Sequence, residues 1–117
     1  MKFYQLSKEN GKNITQFKSN FIMSPIINTE ASASIGCMYL EENGVIGYHQ
    51  AVVPQLLLIL EGEGYVRNEQ EQYFQVLPGD AVFWEKGEWH ETKTDKGLTG
   101  IVIESEQLNP AAFMPIK

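Results

Sequence analysis

Residues 54–64 limit the fold more than any other stretch. Pro54 and Gln55 lead into an unbroken apolar run, Leu56 to Leu60, and glycines stand at 62 and 64. The run is too short to span a bilayer or to form a typical core helix. Between such breakers it reads as a β-strand with both faces covered. Side chains alternate along a strand, so Gln55, Leu57 and Ile59 share one face and Leu56, Leu58 and Leu60 the other. One face lines a closed core. The other needs a cover, which a second sheet or a second subunit would supply.

The rest of the chain repeats this pattern at short intervals. Asn43-Gly44 is the strongest turn signal, a dipeptide favoured in a two-residue hairpin with positive φ at both positions. Further turns fall near 68–71, 78–80, 86–87 and 95–97. Strand-forming segments lie between them at 34–41, 45–53, 55–61, 64–67, 72–77, 81–84, 89–93 and 98–104. Many short strands with regular turns predict an all-β sandwich or barrel. Residues 14–23 predict an edge strand, and Pro25-Ile26-Ile27 a further short one. Asn109-Pro110 predicts either one C-terminal helical turn or a tail laid on the barrel by Phe113 and Met114.

The totals suit this reading. A chain of 117 residues fits one domain, 1–117. A net charge of −6 lacks the basic stripe that nucleic acid requires and disfavours anionic membrane. Cys37 is the only cysteine, so no internal disulfide forms. No apolar leader follows the first residues, and the cytoplasm is the expected compartment.

The two histidines occupy parallel settings. His49 follows Gly44 and precedes the apolar strand by one hairpin arm. His90 follows Pro78-Gly79-Asp80, the run Ala81-Val82-Phe83-Trp84, and Gly87. Gly44, His49, Ala51, Gln55 and Gly62 resemble the first motif of the cupin superfamily, with one residue fewer before the histidine. Gly79, Glu85, Gly87, His90 and Thr94 resemble the second. The resemblance covers residues 44–94, about half the chain, with motif 1 at 44–62 and motif 2 at 79–94. It implies a double-stranded β-helix, the cupin jelly-roll barrel of small single-domain bacterial relatives.

The departures bear on function. A metal-binding cupin offers three histidines and a glutamate. Here the middle histidine is Ala51 and the glutamate is Gln55, whose amide oxygen still carries lone pairs. The resemblance therefore implies a reduced set, His49, Gln55 and His90, for one divalent transition metal (Fe, Mn, Ni or Zn). No carboxylate offsets the charge of such an ion, unlike the two-histidine-one-carboxylate arrangement of non-haem iron sites. Glu88 shares the parity of His90 and is the best stand-in carboxylate. Tyr48, Trp84 and Glu88 are the residues expected to touch a ligand. Two functions stay open: a small-molecule-binding barrel, with or without metal, and a metal-dependent enzyme of dioxygenase or isomerase type. A homodimer is the expected assembly.

Overall fold

The computed structural model describes residues 1–117. Five antiparallel strands form one sheet in the order β1 (Lys2–Gln5), β9 (Asp80–Trp84), β6 (Gln55–Gly62), β11 (Leu98–Ser105), β4 (Ala33–Leu40). Four form the facing sheet in the order β5 (Val45–Gln50), β10 (Trp89–Lys93), β7 (Gly64–Arg67), β8 (Phe74–Val76). A separate ribbon pairs β2 (Lys12–Ile14) with β3 (Phe21–Met23).

Alternation along β6 explains why both its faces are apolar. Leu57 and Ile59 join Val82, Trp84 and Leu98 of the same sheet and Val66 and Val76 of the facing sheet in the inter-sheet core. Leu56 and Leu58 belong to a second cluster, with Tyr4, Ala81, Phe83, Ile103, Leu108 and Met114. A second sheet or second subunit was the expected cover for that outer face. The chain supplies it instead: Leu6, Ile26, Ile27 and Phe113 pack against the cluster from the N- and C-terminal segments. Residues 25–27 form no strand and serve as part of this cover. The C-terminal segment combines both expected forms. Pro110–Ala112 makes a single 3-10 turn, and Met114 is buried under the sheet.

Two other expectations need correction. Asn43-Gly44 does not close a hairpin. β4 pairs with β11 and β5 with β10, so the turn carries the chain from one sheet to the other. Only Asn43 takes positive φ, 61°, and the Gly44 N–H donates to the Glu41 carbonyl at 2.9 Å. Residues 14–23 are not one edge strand. They fold back on themselves through a tight turn at Gln16–Lys18, where Phe17 and Lys18 both hold left-handed φ. β1 was not expected at all; Lys-Phe-Tyr-Gln offers one alternation and no turn signal ahead of it.

Candidate functional site

β5 and β10 pair so that His49 lies opposite His90. Directly opposed residues share a face, and the two ring centroids are 4.3 Å apart, tilted by 57°. The Trp84 indole stacks on the His90 ring, also at 4.3 Å, with 21° between the planes. Trp84 in turn lies opposite Gln55 in the β9–β6 ladder. Gln55 is 8 % exposed and shares the face of Leu57 and Ile59, which is the barrel interior. Thus His49, His90, Trp84 and Gln55 converge from four strands and both sheets.

A register irregularity aims the first histidine. From His90 to Thr92 the partner strand advances from His49 to Ile46, three residues against two. This β-bulge at Gly47-Tyr48 lets Ile46 and His49 face the same way despite their odd spacing. It also brings the Gly47 carbonyl to 2.7 Å from His49 Nδ1. A carbonyl only accepts, so Nδ1 carries a proton, and in the neutral ring Nε2 is then the nitrogen with the lone pair. His90 repeats the arrangement, with Nδ1 at 3.3 Å from the Glu88 carbonyl. Its Nε2 is buried and has no partner, and neither has the buried Nε1–H of Trp84.

Burial holds the His90 imidazolium below the usual histidine range. The nearby His49 adds to that, while the Glu88 carbonyl and the Glu88 and Glu69 carboxylates oppose it. His90 is therefore neutral at pH 7. The sign for stability follows. Between the folded pKa and the unfolded value of about 6.5, the unfolded chain binds more protons. The contribution of a neutral His90 is complete above that window and is lost as pH falls through it. Denaturant midpoints should therefore drop more between pH 7.5 and 5 for the wild type than for His90→Phe. Equal drops would show that His90 does not titrate this way.

Tyr48 and Glu88 do not join the cluster. Next to His49 on the strand, Tyr48 points to the outer face, where it stacks on Trp89 at 5.3 Å beneath the Arg67 guanidinium. The Glu88 carboxylate is spent on the Met1 amino group, Asn68 Nδ2 and the Glu85 N–H. It is the backbone carbonyl of Glu88, not its carboxylate, that serves His90. That carbonyl and the one at Gly47 had no signal in the sequence, because backbone groups act there. Surface hollows of about 320 Å³ beside Phe3, Phe74 and Lys117, and about 410 Å³ along Ser34, Val53 and Glu104, lie away from the two histidines. At the site itself His49 is exposed and His90 is buried.

Fold and paired motifs together make the chain a cupin. A solved cupin from Desulfitobacterium hafniense matches with a TM-score of 0.60 at 15 % identity, over 68 % of this chain and 71 % of that one. A predicted oxalate decarboxylase from Thermotoga maritima matches with a TM-score of 0.56 at 22 % identity, over 61 % and 64 %. The DMSP lyase of Ruegeria pomeroyi matches with a TM-score of 0.60 at 20 % identity, over 91 % and 57 %. Identities this low show a shared fold alone. Within that fold, residues 42–110 match the AraC-like ligand binding domain, and the chain belongs to that family. No curated protein matches the sequence.

Proposed function

We propose that the chain is a small-molecule-binding module whose ligand enters beside His49 and bonds inside the barrel mouth. The buried, partnerless His90 Nε2 and Trp84 Nε1–H carry this reading. Each such group costs about 1–3 kcal/mol when left unmade. A ligand that satisfies both recovers that cost on binding. The two imidazoles present lone pairs, the indole presents a donor, and Gln55 offers both. This set suits an uncharged molecule rich in hydroxyl or amine groups, and gives an anion no cationic side chain.

A second reading is favoured by the ring orientations. Both imidazoles give Nδ1–H to a carbonyl and keep Nε2 bare, as metal-bound histidines do. A divalent transition metal would be held by His49, Gln55 and His90, and would supply Lewis acidity there. No third His, Cys, Asp or Glu joins the pair. The set is thus two imidazoles and a neutral amide, weaker than a site with a carboxylate. Enzymatic chemistry of the dioxygenase or isomerase kind would require that metal, so binding is the stronger proposal. A homodimer in the cytoplasm is part of it. No helix of the chain is long and apolar enough to cross a membrane.

Thermal-shift measurements separate these readings. Zinc or nickel alone, and a panel of neutral polyhydroxy compounds, should be tested against the purified protein. A ligand at a hundred times its Kd stabilises by about 2.7 kcal/mol, which is easily read. Stabilisation by a polyhydroxy compound supports the binding module, and by a metal alone the second reading. No shift with any of them contradicts both.

A further inference from the structure

β11 carries one carboxylate into the sandwich. Ile101 and Ile103 pack on the outer cluster, so their neighbours Val102 and Glu104 face inward. The β11–β6 ladder agrees: Ile103 lies opposite Leu56, an outer residue, and Glu104 lies opposite Gln55, an inner one. On the other side of β11, Glu104 lies opposite Ser34 of β4. Trp84 lies opposite Gln55 on the other side of β6. Directly opposed residues share a face. Trp84, Gln55, Glu104 and Ser34 therefore form one inward row across four strands, at the end of the sandwich where Trp84 stacks on His90.

The polar groups of this row are unspent. The Trp84 Nε1–H has no acceptor. The glutamine amides that find partners are those of Gln50, Gln75 and Gln107; the buried amide of Gln55 finds none. Two residues on from Glu104, Glu106 takes Lys86 at 3.5 Å, but no ion pair of the chain includes Glu104. Glu104 is partly buried, and with Ser34 it lines the hollow of about 410 Å³. Gln55 stands between it and Trp84 in the row. A carboxylate and a buried amide oxygen thus lie side by side with no donor between them, and such groups favour a ligand that supplies one.

We propose that Glu104 selects the ligand by charge: it pairs with a protonated amine, and the ligand is an amino sugar or a small amino alcohol of similar size. This rests on the binding reading above. The hydroxyls bond to His90, Trp84 and Gln55, and the ammonium lies between the Gln55 amide oxygen and the Glu104 carboxylate. Both of those groups accept. An ammonium brings three donors and no acceptor, whereas a hydroxyl brings one donor and leaves one of the two unmet. An anion would meet like charge. The net charge of −6 draws a cation toward the mouth. No third His, Cys, Asp or Glu gathers here into a set for a metal ion, so the cation is organic. Neighbouring strands lie about 4.8 Å apart, which puts Glu104 about 10 Å from Trp84 across β6. Side chains reach in from both ends and shorten that span to one a single sugar ring with its substituents can bridge.

Matched pairs test this: glucosamine against glucose, galactosamine against galactose, and serinol against glycerol. Each is titrated by thermal shift into the wild type and into Glu104→Gln, with circular dichroism as the check of folding. The amine of at least one pair should bind the wild type about tenfold or more tightly than its neutral partner. Glu104→Gln should remove that preference and leave the affinity of the neutral partner unchanged. If the variant does not fold, salt takes its place on the wild type: higher ionic strength should weaken the amine and not its neutral partner. Neutral partners that bind while no amine binds more tightly overturn this proposal and leave the binding module standing. An amine preference that survives in folded Glu104→Gln, or undiminished in high salt, overturns it as well. No shift with any compound overturns both.

Discussion

Gly62→Ala should cost at least about 3 kcal/mol of stability, more than other small surface-to-corner changes in this chain. Gly62 holds φ at 79°, where an L side chain loses about 1–2 kcal/mol from backbone sterics alone. A Cβ built there would lie 2.2 Å from the Gly97 carbonyl oxygen and 3.0 Å from its carbon. Both are backbone atoms and have no rotamer to yield. The corner they form also holds Thr94, whose hydroxyl donates to the Glu63 carbonyl at 2.6 Å and accepts from the Gly97 N–H at 3.0 Å. Opening it disturbs the β6–β11 ladder, in which Leu98 lies opposite Gly62. Gly47→Ala is the control, because a Cβ there meets nothing within 4 Å. It should change stability by no more than about 0.5 kcal/mol. Urea denaturation of the three proteins gives both values. Similar small losses in both variants would mean that the two strands do not approach this closely.

His90→Phe should separate binding from folding. The wild type buries Nε2 without a partner, and the ring is 1 % exposed. Phenylalanine removes that atom and keeps a ring to stack on Trp84. The Glu88 carbonyl loses one donor but still accepts from the Ala51 N–H at 3.0 Å, so no orphan is created. Stability should stay within about 1 kcal/mol of the wild type or rise, as when a functional polar group is replaced in a packed site. Affinity for whichever ligand stabilises the wild type should fall at least tenfold, the equivalent of about 1.4 kcal/mol. Calorimetric titration and denaturation of the same variant check both halves. A large loss of stability with affinity intact would assign His90 to the core and not to the site.

The strands were legible because apolar alternation and turn residues mark them. Gly64–Arg67 and Trp89–Lys93 coincide with the sequence reading, and the other core strands differ at their ends. The division of Leu56 to Ile59 between two cores follows from parity alone. The topology was less legible. Asn43-Gly44 looks like a hairpin, but what decides it is the pairing of β4 with the distant β11. The outer cover was hidden for the same reason, since nothing local in Leu108 or Met114 says which sheet they reach. At the site, motif spacing pointed to His49, Gln55 and His90, of which the two imidazoles face each other; the stacking of Trp84 on His90 had no motif behind it. The partners of Tyr48 and Glu88 were not legible. Alternation from His49 sets Tyr48 on the other face, so it could not share the pocket expected of it, and the Glu88 carboxylate is claimed by Asn68 and the Met1 amino group.

The account rests on two imidazoles that face each other with Nε2 unspent. Long-range ¹H–¹⁵N correlation spectra of the ligand-free protein near pH 7.5 read this directly. Both histidines should show the Nδ1-protonated tautomer, with cross-relaxation between the two rings. An Nε2-protonated His90, or rings with no cross-relaxation, would contradict it.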